Sequence, residues 1–161
     1  KLCHMAKYLL SGLFLFVFLW AAGQESEIQN EHFEQHHHLS TFAGFTTDYK
    51  EKNGYKVGFE YEYRLSRLIG VGGTFDFTGY DFQIFALSVG ADFYPFKIPL
   101  VPGIMIGAKN YDSKWNPFVR GRLVYDFHSG NFSWGPMIMY DFFPNEKDIM
   151  SYGIFVGYSF H

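Results

Sequence analysis

Cysteine is almost absent. The only one among 161 residues is Cys3, so the chain has no internal disulfide and must be stabilised by packing and closure. Cys3 also precedes the first apolar run instead of following it, which gives no support to a lipid-anchored cysteine. Beyond Trp20 there is no apolar stretch long enough to cross a bilayer as a helix. A net charge of −3 and a pI near 6.1 leave no basic footprint for nucleic acid. Glycine is common, at 17 residues, yet no glycine-rich phosphate loop leads into a helix. What remains is a chain built from strands.

What is abundant is aromatic: 22% of the chain, with 20 Phe and 12 Tyr, more than one small core could bury. Tyr55, Val57, Phe59, Tyr61, Tyr63 and Leu65 alternate with Lys56, Gly58, Glu60, Glu62 and Arg64. A period of two describes a strand with one apolar face and one polar face. The same design recurs from Ile69, where Val71, Phe75 and Phe77 oppose Gly70, Gly72, Thr74 and Asp76, and from Phe85, where Leu87, Val89, Ala91 and Phe93 oppose Ser88, Gly90 and Asp92. Ile104 and Ile106 against Gly103, Gly107 and Lys109 make another strand, and Val119, Leu123, Tyr125 and Phe127 oppose Arg120, Arg122 and Asp126. Trp134, Ile138, Tyr140 and Phe142 oppose Gly135, Met137, Met139 and Asp141, and Tyr152 to Phe160 closes the series. With Leu39 to Thr47, whose composition suits a strand but does not choose a face, the count is eight.

The polar face collects Glu60, Glu62, Asp76, Asp92, Asp126 and Asp141 against Lys56, Arg64, Lys109, Arg120 and Arg122. Charges that nearly cancel suggest pairing in a confined space, and eight closed strands leave an interior that side chains can fill. On the other face, aromatic residues gather toward strand ends (Tyr55, Tyr63, Phe93, Tyr125, Trp134, Phe142) and aliphatic ones toward the middle (Val57, Leu87, Val89, Leu123, Ile138, Val156). An aliphatic band between aromatic girdles suits the outside of a membrane barrel. The sequence therefore predicts an all-β fold: an eight-stranded antiparallel up-and-down transmembrane β-barrel. A mean hydropathy of only −0.08 agrees with this, since inward polar residues dilute every strand. The rival fold is a lipocalin-like calyx, with the aromatic face turned inward and the charges outside.

The amino terminus predicts export. Met5 is read as the start, Lys7 gives a positive charge, Tyr8 to Trp20 is apolar, and Ala21-Ala22-Gly23 suits cleavage before Gln24. Residues 1–23 are thus read as an extension with a signal peptide, 24–38 as a polar periplasmic lead-in and 39–161 as the barrel. Reversals are expected near residues 49–54, with Asn53-Gly54 as a tight turn, and near Gly79-Tyr80-Asp81, 112–117 and 144–148 on the outer side. On the periplasmic side they fall at Ser66-Arg67, Lys97-Ile98-Pro99 and His128-Ser129-Gly130-Asn131.

The pattern together with the last strand, Tyr152-Gly153-Ile154-Phe155-Val156-Gly157-Tyr158-Ser159-Phe160, resembles the small eight-stranded outer-membrane barrels of the OmpA/OmpX type. The resemblance implies a bacterial outer-membrane location, contact with outer-membrane lipid and an encounter with the barrel-assembly machinery. In that family a terminal aromatic with apolar residues at every second position before it is the assembly signal, and Tyr152, Ile154, Val156, Tyr158 and Phe160 hold those positions, with His161 one residue beyond. Some barrels of this size are lipid A-modifying enzymes, which place a His and a Ser two apart on one strand. Here His128 and Ser129 are consecutive, and adjacent strand residues face opposite ways. No catalytic residue, cofactor or functional metal is assigned. His32, His36, His37 and His38 could bind a transition metal but lie on a segment read as flexible. Two function classes follow: a non-enzymatic structural or interaction protein with a charge-paired lumen, or a narrow channel lined by the same charges.

Overall fold

The computed structural model describes residues 36–48, 52–95, 98–111, 114–144 and 147–161. The expected signal peptide and most of the lead-in, including His32, lie outside the described residues. Within them every regular element is a strand: β1 (His37–Thr47), β2 (Asn53–Arg64), β3 (Ile69–Thr78), β4 (Ile84–Phe93), β5 (Leu100–Tyr111), β6 (Lys114–Tyr125), β7 (Phe127–Ser129), β8 (Phe132–Phe142) and β9 (Ile149–Phe160). β7 continues β6 after a break at Asp126, since both pair with β8 in one register, Val124 opposite Met137 and Phe127 opposite Trp134. At the break the Asp126 amide turns away to donate to the Pro99 carbonyl at 2.7 Å. The result is eight staves.

Neighbouring staves pair antiparallel in chain order, and β9 closes on β1. The registers can be followed round the wall: His37 to Tyr63, Val71, Ala91, Ile104, Gly121, Tyr140 and Met150, then back to β1 at Thr47. One circuit therefore advances ten residues along β1. With a rise of ~3.3 Å per residue and strands ~4.8 Å apart, this shear tilts the staves by about 40° and gives a radius of about 8 Å. Staves of 10–12 residues then rise roughly 25–30 Å, the height of a bilayer's apolar core.

Closure settles which way each face points. Phe59, Val89, Ile106 and Ile154 are 62–63% exposed on the outside, whereas Lys56, Glu62, Asp76, Asp92 and Arg120 on the inside are at most 2% exposed. This is the opposite of a calyx. It also fixes the stave whose face composition left open: Leu39, Ala43 and Phe45 face out, and His38, Ser40, Phe42 and Thr46 face in. Rings gather in chains near both rims: Tyr55, Phe77 and Phe85 at one end, and Tyr125, Phe127 and Trp134 at the other. An exterior of this kind is stable against lipid and not against water.

Three local expectations are corrected. Asn53-Gly54 is not the reversal: both residues belong to β2, opposite Thr47 and Thr46. Gly54 is needed for space, because a Cβ there would lie 2.9 Å from the Phe82 ring. His37 and His38 are strand residues of β1, not part of a flexible lead-in. His128 lies in β7 opposite Ser133, and the turn itself is only Gly130-Asn131, with Gly130 at φ +60°. The closing seam has a tight spot where Gly44 opposes Gly153. A Cβ on Gly153 would sit 2.6 Å from the Gly44 Cα, backbone that cannot yield. Gly153→Val is expected to lower stability by about 1–3 kcal/mol, seen as a lower urea midpoint for unfolding from lipid vesicles; an unchanged midpoint refutes the seam packing.

Candidate functional site

Charged side chains converge in the lumen, and alternation puts them there: residues two apart on each stave share the inner face. They form two tiers. In the first, nearer the loops, Arg120 of β6 is fully buried. Its Nε and Nη2 donate to the two oxygens of Asp141 at 2.5 and 2.9 Å, and its Nη1 donates to Asp76 at 2.6 Å and to Thr74 at 3.2 Å. Lys56 Nζ donates to Asp141 at 3.0 Å and lies 3.5 Å from Asp76. Two cations and two carboxylates from four staves thus form a neutral, buried quartet. A guanidinium fork suits this role because it presents fixed parallel donors to a carboxylate.

In the second tier, nearer the start of β1 and the end of β9, Arg122 clamps Asp92 with two bonds of 2.8 and 2.6 Å and also donates to Glu60. Arg64 lies 3.5 Å from Glu62. The Tyr94 hydroxyl is shared between the two oxygens of that Glu62 carboxylate, at 2.7 and 2.6 Å, while the Arg64 guanidinium covers the Tyr94 ring at 3.9 Å. Tyr94 lies just past the end of β4; burial, reinforced by the Glu62 charge, pushes its phenol well above the usual range, so it stays a donor. Room for the carboxylates comes from Gly70 and Gly103, whose missing side chains would fall on Glu62 and Asp92.

Two expected members sit apart. Lys109 is buried, with its ammonium 3.5 Å from the centroid of the Phe143 ring near the loop end. Asp126, at the break in the sixth stave, is 3.3 Å from His128 Nε2.

The lumen is also more apolar than a charge network alone. Phe82, Ile84, Ala86, Phe118, Phe143 and Ile149 form one cluster at the loop end. Phe42, Val101, Val124, Met137, Met139 and Phe155 form another, with Tyr94 packed against it. Parity exposes Phe118, which shares a face with Arg120, and Phe155, which lies between Gly153 and Gly157. Tyr94 has no such signal, because alternation stops before it. Several glycines belong to these rings: Phe42 lies over Gly58 and Phe118 over Gly107.

Three carboxylates, Glu60, Glu62 and Asp92, approach within 4.8 Å of one another, the one such group among the described residues. Their oxygens are already engaged by Arg122, Arg64 and Tyr94. The imidazoles do not converge: His36 Nδ1 is 3.3 Å from the Arg64 carbonyl, His37 Nδ1 is 2.7 Å from the Tyr61 hydroxyl outside the wall, and His38 Nε2 is 2.8 Å from Ser133 Oγ inside it. The sequence did not suggest the His38–Ser133 pair, which is 95 residues apart in the chain. Gly157 is packed against both partners, so a Cβ there would strike them. The alternating residues of β9 (Tyr152, Ile154, Val156, Tyr158 and Phe160) all project outward, 39–62% exposed.

No family model matches the chain, and no curated protein is matched by sequence. Similar folds do occur among solved structures. The N-terminal β-barrel domain of OprF from Pseudomonas aeruginosa gives a TM-score of 0.59 at 16% identity, over 78% of this chain and 98% of that one. The Yersinia pestis outer membrane protein Ail, the attachment invasion locus protein, gives 0.57 at 15% identity, over 78% and 99%. A de novo designed transmembrane β-barrel gives 0.53 at 19% identity, over 84% and 99%. At these identities the likeness establishes architecture: a closed eight-stranded antiparallel barrel of the small outer-membrane type.

Proposed function

We propose that this chain, which has the fold of the small eight-stranded outer-membrane barrels, is an integral protein of the bacterial outer membrane that carries no turnover and conducts no solute. It acts through its wall and rims, in a structural or interaction role. The supporting observation is Arg120, which crosses the lumen with no exposed surface and is held by two acids from opposite parts of the wall. Ring layers lie on the same axis. A water path would have to break the quartet, and separating buried partners of that kind costs several kcal/mol. In this reading residues 1–23 direct export and are cleaved, outer-membrane lipid covers the aromatic face, and the outward row of β9 serves the assembly machinery. The loops that join β1 to β2, β3 to β4, β5 to β6 and β8 to β9 face outward from the cell.

Planar-bilayer recording tests it. The refolded barrel is expected to leave the membrane silent up to voltages that drive known porins. Steady unitary currents that fall on Glu62→Gln would overturn the closed lumen and establish the narrow-channel reading instead.

A further inference from the structure

Charge is spread unevenly round the wall. β2, β3, β4, β5, β6 and β8 each turn at least one charged residue inward, namely Lys56, Asp76, Asp92, Lys109, Arg120 and Asp141, every one at most 4% exposed. β1 and β9, the two strands that close the ring, contain no Asp, Glu, Lys or Arg at all. Their inner faces carry Ser, Thr, Gly, His38, Ile149 and the rings of Phe42 and Phe155. The ion pairs of both tiers are accordingly drawn from β2, β3, β4, β6 and β8. Each inward ring also leans on the stave behind it: Phe42 lies over Gly58 of β2, and Phe155 beside Gly135 of β8.

We infer that the β1–β9 seam is a lateral joint, the place where the folded wall opens toward lipid while both ionic tiers stay whole. Parting the seam breaks a ladder of eleven residue pairs. With it go the Thr46–Ser151 hydroxyl bond and the His38–Ser133 bond, both 2.8 Å, and the ring contacts Phe45–Tyr152 and His37–Phe160. The Asp48–Lys147 pair, 3.6 Å apart, lies beyond the ends of both strands. A ladder is lost wherever the wall parts, so the side chains decide between junctions. Every other junction includes a stave with an inward charge, and an ionised group brought against hydrocarbon is costly. Folded proteins open locally along their cheapest boundary, which here is the uncharged one. The opened joint presents two strand edges to the bilayer, the form in which a sheet accepts a further strand.

The full chain, in a Cys3→Ser background in phosphatidylcholine nanodiscs, is followed by amide hydrogen exchange at urea concentrations below the global transition. Corrected for intrinsic rates, amides bonded across the middle of the seam are expected to exchange at least about tenfold faster than those bonded between β3 and β4, by a route that urea hardly accelerates. Two disulfide locks locate the opening. Thr46→Cys/Ser151→Cys joins hydroxyl positions 2.8 Å apart across the seam, and Thr74→Cys/Ser88→Cys joins positions 2.6 Å apart between β3 and β4. When oxidised, the first is expected to slow the seam amides at least about tenfold and the second to leave them unchanged, with reduction reversing the effect. Heat-modifiable gel migration verifies that both locked chains fold, and the unlocked profile decides by itself where a lock does not form. Seam amides that exchange in step with the β3–β4 amides, or that the second lock slows as much as the first, overturn the joint. Exchange reports no current, so that result would leave the closed-lumen reading standing.

Discussion

Arg120→Met is expected to destabilise the barrel by about 3–5 kcal/mol, the range for removing one partner of a buried ion group. Asp76 and Asp141 would then face Lys56 alone, leaving one uncompensated negative charge where Arg120 had no exposed surface. The loss is charge imbalance more than lost contact, so a second change that restores balance should recover most of it. Arg120→Met/Asp76→Leu leaves the Lys56–Asp141 pair, 3.0 Å apart, in a neutral and more apolar tier. Replacing buried ion groups by well-packed apolar residues is often neutral or better. Reversible urea unfolding in vesicles reads both variants. If the single variant costs less than about 1 kcal/mol, water reaches the tier and the lumen is not sealed.

Ile106→Arg is the second large effect. Ile106 is 63% exposed and lies opposite Val89, itself 62% exposed, at mid-height of the wall. On a protein facing water, an exposed isoleucine replaced by arginine would be within about 0.5 kcal/mol of neutral. Against lipid, an arginine near the midplane costs about 2–4 kcal/mol, falling to about 0–1 near the interface. Lys114→Arg at the loop-end start of β6 should therefore be silent, while Ile106→Arg lowers the urea midpoint. Equal, small effects at both positions would mean that this face is not in contact with lipid.

How much of this could be read in the residues differs between wall and contents. The staves were legible because an apolar outer face and a paired-charge inner face impose a strict period of two, and Tyr55 to Leu65 shows it unbroken. The face of β1 was not legible, because Ser40, Thr41, Ala43 and Thr46 are small and tolerated on either side; closure against Tyr61 and Tyr158 decides it. The list of lumen charges was legible, but its division into two tiers was not. Which acid meets which base depends on stagger between strands, a long-range property, so Arg120 and Arg122, two residues apart, serve different acids. The inner-face glycines serve two ends that composition does not separate: Gly70 and Gly103 leave room for Glu62 and Asp92, whereas Gly58 and Gly107 lie beneath phenyl rings. Tyr94 and the His38–Ser133 pair left no local mark, since each is defined by a partner tens of residues away.

The ten-residue advance round the wall makes the lumen's width a discrete quantity. A strand that slips by one residue against its neighbour turns its greasy side inward, so β9 can re-seat on β1 only in steps of two, which gives advances of eight or twelve. By the same geometry those steps narrow or widen the radius by about 0.7 Å. The narrower ring would crush the guanidinium forks against their acids, and the wider one would part them. The ionic tiers therefore act as a gauge block: they are the right length for one bore, and they hold the zipper of the last strand on the tooth that produces it.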